Sequence, residues 1–393
     1  MTEPCRIGLV TPAWPGSRRP NGIATCVHHL AAGLRAIGHD PVILALSVDG
    51  PAHPEVPHFT AGPPRSIWDR LRIGESPIRA RQRRLGHIAL GAGRRARRAH
   101  GLDAVICEET LGLGGWLQAR LDIPVVSTLH GPWFIHRHLQ SEGDVAEDDD
   151  RVAVERRAML DSAGLLAPSQ NVMQATLDAY PELRGRPHAV IRNALLARDM
   201  PPPQDRARDI LFVGRYDRHK GGDLVLQAFE RAAPDLPGTR LIFAGVDAGL
   251  RREDGTVRHV RDHLDSLPQD VRARVTFTGV LSRDDLGDLR RRTAIALVAS
   301  RYENLNYTLL EAMEAGQAIV STDVGGPAEV LQDRVTGLLV PPDDPDAIAQ
   351  ALAELVRDAA LRERLGRAAR TALEQDFDPR VIAARTVEFV RAL

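Results

Sequence analysis

The stretch Asp209-Ile210-Leu211-Phe212-Val213-Gly214-Arg215-Tyr216-Asp217-Arg218-His219-Lys220-Gly221-Gly222-Asp223 decides how the rest of the chain is read. Residues 209–213 are mostly branched or aromatic and predict a buried strand that stops at Gly214. Gly221-Gly222-Asp223 opens an amphipathic run over 223–233, which predicts a helix. Arg215 and Lys220 therefore sit in one loop between a strand end and a helix start. A helix N-terminus offers unpaired N–H groups and the positive end of its dipole, so two cations beside one make a site for a diphosphate. The spacing is not that of a Walker loop, and no G-x-G-x-x-G follows the first apolar run at 7–11, so ATPase and dinucleotide readings lose support. The competing reading is a pair of solvated cations on a surface loop.

Composition sharpens the choice. The 393 residues carry 51 Lys+Arg against 52 Asp+Glu, a formal net charge of −1. Such a balance excludes a nucleic-acid binder held by bulk charge. Of the 51 Lys and Arg residues all but one are Arg, and the exception is Lys220. A compact ammonium retained where all other cations are planar forks marks a place where the fork does not fit.

The strand-loop-helix unit repeats in both directions. Downstream, strands are expected at 239–244, 275–278, 294–299, 318–321 and 337–340, alternating with helices at 258–266, 284–292, 306–315 and 346–357. Upstream, strands are expected at 7–11, 41–47, 104–107, 125–129, 165–167 and 188–192, with helices at 23–37, 151–162 and 171–179. Short, nearly continuous apolar strands are those of a parallel sheet covered on both faces. Pro201-Pro202-Pro203 separates the two series as a linker. The fold class is α/β with two doubly wound domains, and ligands of such sheets bind beyond the carboxyl ends of the strands.

One loop of that kind carries a second constellation. Glu303 follows the strand at 294–299, and Glu311 lies in the helix at 306–315. A loop carboxylate can accept hydrogen bonds from a sugar, and one on the helix can accept both hydroxyls of a ribose diol. Taken alone, the pair reads equally as two surface glutamates.

Together these segments resemble the family 4 glycosyltransferases of the GT-B fold, most specifically through Glu303 and Glu311 in an E-x7-E pattern with Leu310-Glu311-Ala312-Met313. Gly214-Arg215, Lys220-Gly221, Phe277-Thr278-Gly279, Asp323-Val324-Gly325-Gly326 with Glu329, and Thr336 to Pro341 are similar to the same family. So are Asn21-Gly22, Gly38-His39 and His130-Gly131 in the first half. The resemblance implies two Rossmann-like domains facing a central cleft: 1–193 for the acceptor, 194–376 for a nucleotide sugar, and a helix at 377–393 returning to the first. It implies that Gly214, Arg215 and Lys220 hold the donor diphosphate, Glu311 the ribose and Glu303 the transferred sugar. Main-chain groups of Asn304, Leu305, Asn306, Tyr307 and Thr308 would contact sugar and phosphate, and those of Gly279, Val280 and Leu281 the base. His130 would face the sugar, and Gly22 would let the backbone approach the donor. The implied chemistry is transfer to an acceptor hydroxyl with retention of the anomeric centre and no metal or other cofactor. Two positions depart from the family: Gly22-Ile23 where it has Gly-Gly, and Asn304-Leu305-Asn306 where it has Pro-Phe-Gly. Rival readings are a nucleotide-sugar epimerase, a phosphorylase using Lys220 as an aldimine, and a non-catalytic nucleotide-sugar-binding protein.

Several features stand outside that pattern. Asp148-Asp149-Asp150 and Asp343-Asp344 are read as solvated acids in polar loops rather than as metal ligands. Trp133, Phe134, His136 and His138 serve equally as an acceptor pocket or a packing cluster, and Glu108 and Glu109 end another strand. Residues 65–100 carry a dense run of Arg, open to three readings: peripheral contact with anionic lipid, contact with an acidic acceptor, or a solvated helix face. Cys5, Cys26 and Cys107 lack metal or disulfide spacing. The short lead into 7–10 and the lack of an apolar run near 18 residues make a soluble cytoplasmic protein the expectation.

Overall fold

The computed structural model describes residues 3–14, 21–48, 56–62, 75–140, 145–197, 206–252 and 254–393. They divide into two compact units, Met1–Leu196 with Phe377–Leu393, and Ala197–Asp376. Pro201-Pro202-Pro203 lies outside the described residues.

The first unit is built on β1 (Arg6–Thr11), β2 (Asp40–Ala45), β3 (His58–Phe59), β4 (Ala104–Glu108), β5 (Val125–Thr128), β6 (Gly164–Ala167) and β7 (His188–Val190). They form one sheet in the order β3-β2-β1-β4-β5-β6-β7, parallel throughout. Successive side chains of a strand point to opposite faces, so each face collects its own core. Ile7, Leu9, Ile43 and Ile106 pack with Val27 and Leu34 of the helix Gly22–Ala36 and with Ile382 and Val387 of the helix Pro379–Arg391. Val10, Val42, Leu44 and Val105 face the other way, against Ala89, Ala92 and Ala96 of the helix Pro77–His100. The last helix thus completes the first unit's core although it is reached only after the second unit.

The second unit contains β8 (Ala207–Val213), β9 (Leu241–Ala244), β12 (Val275–Gly279), β13 (Thr293–Val298), β14 (Ala318–Thr322) and β15 (Leu338–Val340), with a small hairpin of β10 (Leu250–Arg251) and β11 (Val257–Arg258). Its main sheet runs β12-β9-β8-β13-β14-β15. In both sheets the order reverses beside the first strand, between β1 and β4 and between β8 and β13. Crossovers on the two sides of such a point leave toward opposite faces, and the loops there part to leave a binding crevice. The loops at 214–221 and 299–306 flank the switch point of the second sheet.

The acidic run is a correction. Asp148, Asp149 and Asp150 lie not in a loop but in the first turns of a helix, Val145–Asp161. Carboxylates are favoured at a helix start, and each has a basic or N–H partner: the Trp133 indole N–H at 2.7 Å, Arg137 at 2.6 Å and Arg79 Nε at 2.9 Å, respectively. Asp344 likewise caps the helix Pro345–Arg357. Among the described residues no group of three or more His, Cys, Asp or Glu is placed to hold a metal ion, and no helix is long and apolar enough to cross a membrane.

Candidate functional site

In the second unit the loop after β8 is tied down by its own side chains. Arg215 Nε donates to Asp217 Oδ2 at 2.6 Å, and Asp217 Oδ1 accepts the main-chain N–H of Lys220 at 2.7 Å. Tyr216 is fully buried and its hydroxyl meets His263 Nδ1 at 2.9 Å. Gly221 caps the helix Gly222–Ala232 in the left-handed region, φ 70°. A Cβ there would fall 1.9 Å from the carbonyl oxygen of Ala299, so only glycine lets the start of this helix lie against the end of β13.

That approach brings Lys220 to Glu303. Lys220 Nζ donates to Glu303 Oε2 at 2.5 Å, and Ser300 Oγ donates to the same oxygen at 3.1 Å. Glu303 is buried. Burial pushes its carboxyl up, but the charges of Lys220 and His219 and hydrogen bonds from Lys220 and Asn306 outweigh it and hold the group below the ordinary glutamate range. Its main chain is fixed as closely: a Cβ on Gly325 would lie 1.9 Å from the carbonyl oxygen of Glu303, and one on Gly326 would lie 1.8 Å from that of Asn304. Gly325 and Gly326 therefore seat the start of the helix Gly325–Val330 directly on the 303–304 backbone. Asn306 caps the helix Tyr307–Glu314, accepting the N–H of Leu309 at 3.0 Å. Thr308 lies in the first turn of that helix, where backbone N–H groups have no intrahelical partner.

Two partners could not be read from the sequence. Arg301 spans the site's base: its two Nη atoms donate to the two oxygens of Asp223 at 2.8 Å each, Nη1 also reaches the carbonyl of Arg218 at 2.6 Å, and Nε donates to Asp343 at 2.5 Å. The side chain is 7% exposed. Arg290, also buried, donates from Nη2 to Glu311 Oε2 at 2.7 Å, leaving Glu311 partly open to solvent. An Asp in the first turn facing an Arg beside the loop glutamate was the only available hint of the first pair. For Arg290, within an Arg run at a helix end, there was none. Gly279 ends β12 with φ 68°, Val280 beyond it is exposed, and Leu281 packs beside Leu211 and Leu289.

The first unit gathers its own candidates at the ends of β4 and β5. Glu109 is buried and accepts the N–H groups of His130 at 2.8 Å and Gly131 at 2.9 Å, one on each oxygen. Glu155 accepts the N–H of Trp133 at 2.8 Å and Arg151 Nε at 2.9 Å. Trp133 stacks on the Arg151 guanidinium at 4.0 Å, and Phe134 packs edge-on to Tyr180. Packing is thus what these two rings do here, while His136 is buried and His138 exposed. Glu108 and His130 line a cavity of about 50 Å³ with Thr128 and Asn193, room enough for water. Gly22 opens its helix with nothing within 4 Å of a Cβ position, and Asn21 caps that helix through Ile23 and Ala24.

Burial pushes the Glu108 carboxyl up to about 8, helped by Glu109, and the Glu109 carboxyl up to about 7, helped by Glu155. It pushes His130 down to about 4, so the imidazole is neutral at pH 7. The folded state then holds a proton on Glu108 that the unfolded chain, with a value near ~4.3, has lost. Glu108's contribution is complete below the unfolded value and disappears as pH climbs toward 8; His130 acts oppositely, losing stability as pH falls from about 6.5 to 4. Denaturant unfolding is expected to show the first unit weakening from about pH 5 to 8, by at most roughly 1.4 kcal/mol per pH unit for Glu108. Glu108→Gln should flatten that slope; an unchanged slope would refute the assignment.

Two family models match the sequence. That described as glycosyl transferases group 1 matches residues 197–372, and that described as Glycosyltransferase Family 4 matches residues 20–195. Glycogen synthase of Mycobacterium tuberculosis is 29% identical over 93% of this chain and 90% of its own length. D-inositol 3-phosphate glycosyltransferase of Xylanimonas cellulosilytica is 31% identical over 66% of this chain and 65% of its own. Among solved structures, sucrose-phosphate synthase from Thermosynechococcus elongatus superposes with TM-score 0.71 at 21% identity, over 99% of this chain and 98% of that one. Anabaena HepE, in complex with UDP-glucose, gives TM-score 0.67 at 17% identity, over 99% and 100%.

Proposed function

Because the chain belongs to the family 4 glycosyltransferases and has their GT-B fold, we propose that its second unit binds the nucleoside diphosphate sugar on Arg215, Lys220, Glu303 and Glu311 and that the sugar passes, with retention, to a hydroxyl of an acceptor held by the first. The observation that carries this reading is the 2.5 Å contact between Lys220 and Glu303, which puts a cation able to meet a phosphate beside a carboxylate able to accept from sugar hydroxyls. Breaking the sugar–phosphate bond builds negative charge on the departing diphosphate. Arg215, tied to Asp217, and the nearby helix start are in place before a donor arrives, and Lys220 needs only to turn its ammonium from Glu303 to a phosphate oxygen to join them in stabilising that charge. With those cations supplied by the chain, the reading needs no divalent ion. Glu311, oriented by Arg290, is left to accept a ribose diol. In the first unit His130 is neutral, with its main-chain N–H held by Glu109, and brings no positive charge to the strand ends there.

The aldimine alternative requires a free amine on Lys220, whereas that group lies in an ion pair with Glu303. HepE was captured with UDP-glucose and the glycogen synthase acts in glucan synthesis by its name, so UDP-, ADP- and GDP-glucose are the first donors to try, with glucan, polyol and lipid-linked acceptors. Release of the diphosphate, followed with and without chelator, and the anomeric configuration of the product test the reading. An inverted product, or turnover that collapses with chelator, contradicts it.

The helix Pro77–His100 exposes Arg81, Arg84, Arg94, Arg95 and Arg98; Arg65, Arg70 and Arg72 lie outside the described residues. Exposed arginines of this kind suit an anionic lipid surface and a solvated helix alike. Sedimentation with phosphatidylglycerol vesicles separates the two: pelleting at low salt that is lost at high salt supports lipid contact, and no pelleting at low salt leaves a solvated face.

A further inference from the structure

We propose that the Lys220–Glu303 ion pair makes this site select an intact nucleotide sugar over the spent nucleoside diphosphate. The inference rests on the donor-site reading above and adds to it what the two groups do when the site is empty. Lys220 is the chain's single lysine. Its side chain is 24% exposed and that of Glu303 9%, and they meet at 2.5 Å.

The two partners differ in freedom. Lys220 ends a four-carbon stem that can swing its ammonium to a phosphate oxygen. Glu303 cannot follow: Ser300 holds the same Oε2 at 3.1 Å, Asn306 holds the carboxylate from the next helix start, and Gly325 and Gly326 pin the backbone beneath it. A diphosphate that draws Lys220 away therefore leaves a buried carboxylate short of its counter-charge. Removing one member of a buried pair costs far more than the pair itself contributes, because the other charge is stranded.

An intact donor brings its own replacement, since sugar hydroxyls can donate to the carboxylate that Lys220 leaves. A bare diphosphate brings none. After transfer the hydroxyls leave with the product, Glu303 is again short of the charge that Lys220 supplied, and the ammonium is pulled back toward it. Re-formation of the ion pair then favours departure of the nucleotide, limiting inhibition by the spent product.

Isothermal titration of the full-length protein with UDP, ADP and GDP, and with the glucose conjugate of each, tests this. Wild type is expected to bind one conjugate at least tenfold more tightly than its bare diphosphate. Glu303→Gln, which leaves Lys220 without a charged partner, should bind that diphosphate at least fivefold more tightly than wild type and bring the ratio close to one. The gain should vanish when Lys220→Gln is added. Glu303→Asp, which stretches the pair, gives a smaller shift in the same direction and carries the test if the Gln variant folds poorly. If wild type binds the nucleotides but Glu303→Gln binds the bare diphosphate no more tightly, the selection mechanism is wrong while the donor site stands. If wild type binds none of the six compounds, the donor-site reading itself falls.

Discussion

Lys220→Ala is expected to lower kcat/KM for sugar transfer by roughly 10²–10³-fold, the usual loss when one group that meets a developing negative charge is removed. Two effects combine. The ammonium that would meet the departing diphosphate is gone, and Glu303, buried and fixed by Ser300 and Asn306, is left without its cation. The second effect predicts a measurable fall in thermal stability alongside the loss of rate. Lys220→Arg should recover little: the guanidinium is planar and bulkier than the ammonium that sits 2.5 Å from one carboxylate oxygen. Diphosphate release and thermal unfolding of the two variants check this, and an Arg variant with wild-type kcat/KM would show that any cation suffices.

Arg301→Ala is expected to be the most damaging substitution to stability in the second unit. The guanidinium binds both oxygens of Asp223 and one of Asp343 and also caps the carbonyl of Arg218. Its removal strands Asp223, itself largely buried, and breaking a buried pair in this way costs about 3–5 kcal/mol. For a unit of this size that is a drop on the order of 10 °C in Tm. The same contacts join the start of the helix Gly222–Ala232 to the loop that carries Glu303, so the distance between Lys220 and Glu303 depends on them. Nucleotide affinity should therefore fall in Arg301→Ala even below its new Tm. Affinity at the wild-type level would mean that Arg301 supports the fold without aligning the site.

What was legible in the sequence and what was not divide along a physical line. The run 209–223 could be read because a strand, a cation-bearing loop and a glycine-started helix are local signals. The same holds for Glu303 and Glu311, which one strand end and one helix place with seven residues between them. The alternating apolar runs disclosed two doubly wound sheets because fully buried parallel strands leave few polar positions. Arg301 with Asp223, Arg290 with Glu311, and Glu109 with His130 are tertiary pairings between distant segments, and nothing in the spacing of either partner announces the other. Short elements also escaped. β3, β10 and β11 have two residues each, too few for any periodicity. The helix Val145–Asp161 was read as starting only at 151 because its acidic first turns look like a loop until the dipole and the partners Trp133, Arg137 and Arg79 are considered.

If a nucleoside diphosphate binds through Lys220 and Arg215, thermal unfolding in the presence of UDP, ADP and GDP will register it, because a ligand bound only to the native state raises its stability. The expected result is a concentration-dependent rise in Tm with at least one of the three that disappears in Lys220→Ala and shrinks in Arg215→Ala. A rise of equal size in wild type and Lys220→Ala, or none with any of the three nucleotides, would contradict it.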